Sequence, residues 1–279
     1  MSFDLTHARH DPAHCLTPGL FRSLKRGERK KAKLDVTHTI GDDSIRFWGP
    51  EPLGADDLRI LQGLIAMSAI SGEKGRGIML RSGTNSEAGQ HLRLLLNLQW
   101  DAIEQDALVV KGSFSQLARE VGYAEGGSQI KVIRESIERL YAISIIVDRN
   151  GLRQGYRLLS EYASDENGSQ LFVALNPRIT DAILSRRQHT RINMNEVRAL
   201  QTDPARLIHQ RLCGWIDPGK SRRVILDKVC GYVWPDKSSA AAMRQRHVTA
   251  RRALGEIDGL GWTVNEYAKA KYDIGRPKD

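Results

Sequence analysis

The sequence predicts an α+β fold in which two tandem winged-helix units follow a basic, largely irregular N-terminal arm. Two observations carry this prediction. Pairs of segments with helical apolar spacing occur at 113–141 and at 226–259. Each pair is followed by two short strand-like runs separated by a turn. A helix, a second longer helix and a terminal hairpin are the elements of a winged helix, which is a variant of the helix-turn-helix.

The C-terminal unit shows these elements most clearly. Leu226 to Val233 has helical apolar spacing, and Trp234-Pro235 ends it because proline cannot continue a helix. Ser238 or Ser239 is an N-cap for a longer helix that reaches about Gly259. A short run at 222–225 precedes both helices, and strand-like runs at 262–267 and 272–274 follow them.

The long helix of this unit predicts DNA binding. At a period of 3.6 residues, one broad face is apolar, while Arg244, Arg251 and Arg252 lie on the opposite face with Val248 between them. Arginine pairs bidentately with guanine or clamps a phosphate, so this stripe suits a helix in a major groove. The alternative is a solvated basic face, the default for an amphipathic helix. Six further residues of the unit are expected to contact DNA: Arg222, Arg223, Lys237, Arg246, Lys271 and Arg276.

The first unit repeats the plan with little residue identity. Ser113 caps a short helix that ends at Gly122, a longer helix runs from Ser128 to Tyr141, and strands at 144–148 and 154–161 flank a tight turn. The long helix exposes Lys131 and Arg134, but also two carboxylates, Glu135 and Glu138, that phosphates would repel. We therefore expect Lys131 and Arg134 to make auxiliary DNA contacts only.

The charge is distributed unevenly along the 279 residues, whose net charge is +9. Residues 1–50 carry nine basic and six acidic side chains. Residues 51–185 carry fourteen basic and seventeen acidic ones, and residues 186–279 carry nineteen basic and ten acidic ones. A surface for a polyanion should therefore lie on the last third. Seven basic residues between Arg22 and Lys33 make the arm a second candidate, with a mobile solvated tail as the alternative. We divide the chain into an arm at 1–50, a first unit at 51–187, and a main DNA-binding unit at 188–279.

Other classes of protein find little support in the sequence. No apolar run is long enough to cross a bilayer, and no signal peptide or P-loop motif occurs. Three scattered cysteines, Cys15, Cys213 and Cys230, indicate reduced thiols and a cytoplasmic protein. A nicking nuclease would need a His-x-His metal pair, which the sequence lacks. We expect no metal site, no cofactor and no enzymatic activity.

Five stretches resemble a known family. They are Arg9–Cys15, Gly49–Leu58, Gly155–Asp165, Gln210–Lys220 and Cys230–Pro235. They are similar to RepC, the iteron-binding replication initiator of IncQ-type broad-host-range plasmids, over most of the chain except 67–87. The resemblance implies an initiator that binds repeated origin sites in a bacterial host, helps to open an adjacent segment, and recruits the plasmid helicase and primase.

Two points stay open at the level of sequence. The alternative function is a winged-helix transcriptional regulator or autorepressor with no role in replication. The resemblance also implies that the first unit mediates dimerisation, and the apolar helix at 57–69 is a candidate for self-pairing in a homodimer.

Overall fold

The computed structural model describes residues 7–25, 27–69, 77–80, 87–95, 107–124, 126–165 and 169–278. Ten α-helices are described: α1 Pro12–Leu16, α2 Ala55–Ser68, α3 Glu87–Leu95, α4 Phe114–Glu120, α5 Gly127–Tyr141, α6 Pro177–Ile183, α7 Met194–Ala199, α8 Asp203–Trp215, α9 Leu226–Val233 and α10 Ala240–Asp258. Thirteen strands are described: β1 His7–His10, β2 Leu34–Ile40, β3 Asp43–Gly49, β4 Gly77–Leu80, β5 Ala107–Gly112, β6 Ser144–Arg149, β7 Leu152–Arg157, β8 Leu159–Ser164, β9 Leu171–Leu175, β10 Thr190–Asn193, β11 Ser221–Ile225, β12 Thr263–Ala268 and β13 Lys271–Gly275. No helix in these ranges is long and apolar enough to cross a membrane.

The predicted mixed architecture of helices and strands is confirmed. All the described strand ladders are antiparallel, and they form four sheets with the orders β1-β10, β11-β13-β12, β2-β3-β6-β7 and β4-β5-β9-β8. The helices predicted at 113–122, 128–141, 226–233 and 239–259 are present with nearly the predicted bounds. Leu92 to Ile103 also reads as an apolar helix in the sequence; the structure describes this segment only up to Leu95, within α3, and its remainder lies outside the described residues.

The N-terminal segment is folded, so its prediction as an irregular arm is wrong for residues 7–25 and 27–49. Strands β2 and β3 form a hairpin, and β3 pairs with β6, which extends the first unit's own hairpin into a four-stranded sheet. Strand β1 instead pairs with β10. The segment therefore joins both units. The alternating burial along β3, with Ile45 and Phe47 fully enclosed, is the period-two pattern of a half-buried strand.

The partner strand predicted at 154–161 is two strands in different sheets. Strand β7 pairs with β6, whereas β8 pairs with β9. The chain crosses between the sheets at Leu158 and Leu159, which are both fully buried. The backbone nitrogen of Leu158 donates to the carbonyl of Ile143 at 2.8 Å, which fixes the crossing point. Residues 156–162 contain no Gly or Pro, so the sequence carries no turn signal at this break.

Helix α2 lies at the centre of the molecule. It packs against α4, α5, α8, β1 and β5, and 13 of its residues are buried. The proposed self-pairing of this helix in a dimer is therefore wrong, because its surface is already covered by the same chain. One continuous hydrophobic core includes side chains from both units, among them Leu58, Ile137 and Leu254. The two units share this core and do not each enclose one of their own.

Buried polar groups hold α2 in place. The carboxylate of Asp57 is fully enclosed, accepts from the backbone nitrogen of Gly54 at 2.8 Å, and forms ion pairs with Arg29 at 3.1 Å and Arg139 at 2.9 Å. At the middle of the helix, Gln62 donates to Gln210 of α8 at 2.5 Å. These contacts join the N-terminal segment, α5 and the second unit to one helix.

We predict that Asp57→Ala destabilises the protein by about 3–5 kcal/mol, because removing one member of a buried ion pair leaves the remaining charges without compensation. Asp56 is the matched control, since it pairs with the same two arginines but its side chain is 29% exposed. Asp56→Ala should cost about 1 kcal/mol or less. Urea unfolding monitored by circular dichroism measures both values, and equal losses would contradict the central role of Asp57.

Candidate nucleic-acid interface

Helix α10 presents one solvent-facing stripe of basic and small side chains. Ser239 caps the helix by accepting from the backbone nitrogen of Ala242 at 3.3 Å. Ala250, Ala253, Leu254 and Ile257 pack into the core and fix the rotation of the helix. The exposed residues at helical spacing are Ala241, Arg244, Gln245, Val248, Arg251, Arg252 and Gly255. The structure thus brings the three predicted arginines onto one accessible face.

The two acids of α10 lie at its C-terminal end and are bound to protein groups. The carboxylate of Glu256 accepts from the hydroxyl of Thr202 at 2.6 Å and from the backbone nitrogen of Gln201 at 2.9 Å. Asp258 accepts from the backbone nitrogen of Val264 at 3.0 Å. Residues 240–254 contain no acid. The exposed stripe is therefore positive over its first four turns.

The three arginines of the stripe differ in their surroundings. Arg251 lies 3.5 Å from Glu266 of β12, which also accepts from the hydroxyl of Tyr272 at 2.8 Å. No hydrogen bond or ion pair joins Arg244 or Arg252 to another side chain within the described part of the chain. Arg244 and Arg252 therefore carry the uncompensated charge of the helix. The hairpin supplies the acid beside Arg251 from fifteen residues away, a pairing that helix periodicity does not predict.

Strand β11 carries further exposed basic groups of the second unit. Arg222 and Arg223 are exposed on this edge strand, which pairs with β13, and the Arg223 guanidinium lies 5.0 Å from the ring centroid of Tyr267. Lys271, at the start of β13, is exposed opposite Ile225. The hairpin and β11 thus keep the predicted basic groups at the surface.

A basic loop of the N-terminal segment is anchored next to the start of α10. Arg22 pairs with Asp236 at 2.9 Å, and the backbone nitrogen of Ser23 donates to the carbonyl of Val233 at 2.9 Å. Arg22 also binds Glu28, so this arginine serves the fold. The lysines of the loop remain exposed, close in sequence to this anchor: Lys25, Lys30, Lys31 and Lys33. Lys237, one residue after Asp236, is also exposed, and Arg26 lies outside the described residues.

Two predicted contacts are used within the protein. Arg276 is 7% exposed and donates to the carbonyls of Cys213 at 2.8 Å, Ile216 at 3.2 Å and Arg191 at 2.6 Å. Its assignment to DNA is wrong, because it satisfies carbonyls at the C-terminal end of α8. Arg246 donates to the carbonyl of Asp236 at 2.8 Å and lies over Trp234, so it braces the turn before α10 while remaining partly exposed.

The corresponding helix of the first unit is electrostatically mixed. Lys131 is exposed and lies 3.9 Å from Glu135, which is also 3.8 Å from Arg139. The Arg134 guanidinium covers the ring of Phe114 at 5.3 Å. The exposed face of α5 therefore carries paired charges, in contrast to Arg244 and Arg252 of α10.

A buried network joins α7 and α8 to Trp262, which follows α10 in the chain. His209 of α8 lies 2.6 Å from Glu196, whose carboxylate also accepts from the indole nitrogen of Trp262 at 3.1 Å. Burial opposes the imidazolium, but the Cys213 sulfur and the Glu196 carboxylate outweigh it and raise the pKa of His209 to about 9. Glu196, His209 and Cys213 bring three ligand-type atoms within 4.8 Å of one another. A protonated imidazole has no free lone pair, so at neutral pH this cluster fits a charge-assisted hydrogen-bond network better than a metal site.

Comparisons with known proteins identify the class of the fold. The chain is similar to a crystal structure of selenomethionine derivatives of domains 2 and 3 of RctB, with a TM-score of 0.59 and 11% identity over 96% of this chain and 99% of that chain. A second RctB structure, of domains 2–3, gives a TM-score of 0.56 and 10% identity over 95% of each chain. The Pi initiator protein in complex with iteron DNA matches with a TM-score of 0.37 and 14% identity, over 81% of this chain and 92% of that chain. No curated protein sequence matches the chain.

The fold is therefore one that RctB also contains. The family model of Replication protein C (RepC) matches residues 2–278, so the chain belongs to the RepC family. It is a plasmid replication initiator that binds origin DNA. The function predicted from the sequence is thereby confirmed at the level of the family.

We predict that the buried His209–Glu196 pair makes stability depend on pH. The pKa of His209 is raised from 6.5 to about 9, so the stabilisation is fully present below pH 6.5 and is lost as the pH rises through about 9. A shift of this size corresponds to about 3 kcal/mol. The free energy of unfolding of the native protein should fall by roughly that amount between pH 6.5 and 9.5, relative to His209→Gln.

His247→Gln provides the control, because it removes a partly exposed histidine from the same unit. Denaturant titrations of the three proteins at each pH measure the effect. A His209→Gln protein whose stability follows the same pH profile as the native chain would refute this account.

Proposed function

We propose that the chain recognises a directly repeated duplex site, an iteron, through two winged-helix units, with α10 in the major groove as the main reading helix. The observation that carries this proposal is the exposed, acid-free stripe of α10, in which Arg244 and Arg252 have no protein partner in the described part of the chain. Support for the winged-helix assignment comes from the order α9, α10, β12, β13, with β11 completing the sheet. The first unit repeats this order in α4, α5, β6 and β7.

The proposed roles of the two units differ. In the second unit, arginines of α10 bind base edges, while Arg222, Arg223, Lys237 and Lys271 bind phosphates. In the first unit, Lys131 and Arg134 contribute auxiliary contacts, because α5 offers less uncompensated charge. Two adjacent units joined by a short linker can contact successive segments of the major groove, about one helical turn of DNA apart.

Further steps of initiation rest on the five stretches that resemble RepC of IncQ-type plasmids. We propose that binding promotes opening of an adjacent segment and that the chain recruits the plasmid helicase and primase in the cytoplasm of a bacterial host. Any homodimer would use a surface other than α2, such as an exposed part of the first unit. We further propose that the chain cleaves no DNA strand; incubation with supercoiled origin DNA and a divalent cation, followed by gel electrophoresis, would reveal nicking.

We predict that Arg244→Ala and Arg252→Ala each reduce discrimination between the origin repeat and a scrambled duplex by about tenfold or more, because a bidentate arginine–guanine contact is worth about 1–3 kcal/mol. Arg251→Ala should cost less, since Glu266 already lies beside this arginine. Lys131→Ala and Arg134→Ala are the matched controls in the first unit. They should weaken binding to both duplexes about equally.

Competition titrations of each variant against the two duplexes measure these effects. If the first-unit variants lose discrimination while Arg244→Ala and Arg252→Ala keep it, the reading helix has been assigned to the wrong unit.

We also predict a steep dependence of affinity on salt, because neutralising phosphates releases counterions. Lys237→Ala and Lys31→Ala should each reduce the slope of log affinity against log salt concentration by about one. Lys111→Ala is the control. This exposed lysine lies on β5, which belongs to a different sheet from β11, β12 and β13 of the second unit. If Lys31→Ala leaves the slope unchanged, the N-terminal loop lies outside the interface. If the affinity of the native protein does not depend on salt concentration, the proposed phosphate contacts are contradicted.

A further inference from the structure

The exposed stripe of α10 contains one apolar side chain at its centre. Val248 is 53% exposed, whereas Val229 and Val233 of the same unit are fully buried. It lies one helical turn after Arg244 and one turn before Arg252. A single exposed apolar residue is common on protein surfaces and has no meaning by itself. Val248 differs from such residues because it lies between two arginines of the exposed stripe of α10.

The neighbours of Val248 on this face leave its side chain accessible to a ligand. The face carries small residues at both ends, Ala241 and Gly255, and a Cβ added at Gly255 would meet no heavy atom within 4 Å. Gln245 and the arginines are long and flexible, so they can extend past Val248 toward base edges. Helix formation does not account for a valine at this exposed position, because the helix propensity of valine is lower than that of alanine, arginine and glutamine.

The major groove offers one apolar feature that suits this side chain. Thymine presents its C5 methyl group there, and an apolar side chain that covers the methyl distinguishes thymine from cytosine. Four helical residues advance about 6 Å, and successive base pairs are about 3.4 Å apart. A thymine under Val248 would therefore lie within about two base pairs of the bases that Arg244 and Arg252 reach.

From this geometry we propose that Val248 is a specificity-determining residue that contacts the C5 methyl of one thymine, between the bases bound by Arg244 and Arg252. The inference rests on the proposed role of α10 as the reading helix. It adds a distinct chemical element, because arginine recognises guanine by hydrogen bonds, whereas valine recognises thymine by excluding water from a methyl group. The combination selects a guanine–thymine pattern that arginines alone would not specify.

The test removes single methyl groups from the DNA. Each thymine of the bound origin repeat is replaced in turn by deoxyuridine, which lacks only the C5 methyl, and the affinity of the native protein is measured by competition. One replacement should weaken binding by about three- to fivefold, the effect of losing one buried methyl contact. Val248→Ala should weaken binding to the unmodified repeat by a similar factor and should be insensitive to deoxyuridine at that same position.

Thr249→Ala is the matched control, since Thr249 is the next residue on α10, is also β-branched, and bonds through its hydroxyl to the carbonyl of Gln245 at 3.1 Å. This variant should keep the full sensitivity to deoxyuridine. Thermal unfolding of each variant verifies that it is folded. Val248→Ala should unfold at nearly the native temperature, because Val248 contributes little to the core. If Val248→Ala responds to every deoxyuridine as the native protein does, or if no deoxyuridine weakens native binding, Val248 does not read a thymine.

Failure of this inference can be distinguished from failure of the proposed function. If Arg244→Ala and Arg252→Ala lose discrimination while Val248→Ala keeps it, α10 is the reading helix and only the thymine contact is wrong. If all three variants keep discrimination, α10 does not read the DNA sequence at all, and both proposals are overturned.

Discussion

The enclosure of Asp57 between Arg29 and Arg139 is the interaction on which the architecture depends. An ionised carboxylate is tolerated inside a protein only when other charges and hydrogen bonds compensate it. Its compensating groups come from the N-terminal segment and from α5, so both must be in place for α2 to start where it does. Helix α2 then contributes to a core that includes side chains of both units. The pairing of β1 with β10 also connects the N-terminal segment to the second unit.

This shared core has a consequence for recognition of DNA. The loop at 22–33, strand β11 and helix α10 belong to different parts of the sequence, but they lie on one packed body, and the loop is pinned by the Arg22–Asp236 pair. A surface that is assembled before binding loses less conformational entropy when DNA arrives. The folded N-terminal segment would therefore contribute to the proposed interface differently from a flexible arm. Its lysines belong to a folded loop, so the proposed phosphate contacts would not have to form from a disordered state.

The elements set by local patterns could be predicted from the sequence. Helices α9 and α10 follow their apolar periodicity, and Ser113 and Ser239 cap helices where their side chains satisfy free backbone nitrogens. The features that were missed depend on distant partners. The β1–β10 ladder joins residues 180 to 186 positions apart, and the Arg276 guanidinium binds carbonyls at 191, 213 and 216. No window of local sequence contains such information.

The same limitation applies to charge, which is why the net charge of a segment identifies a candidate interface only approximately. The last third of the chain is strongly basic, yet folding withdraws Arg276 into the protein and places Glu266 beside Arg251. Folding also turns Glu256 toward Thr202, which removes an acid from the face of α10. The positive potential of this helix thus results from which charges the tertiary structure neutralises, more than from how many the sequence contains. Arg244 and Arg252 are left uncompensated by this selection, and the apolar Val248 lies between them.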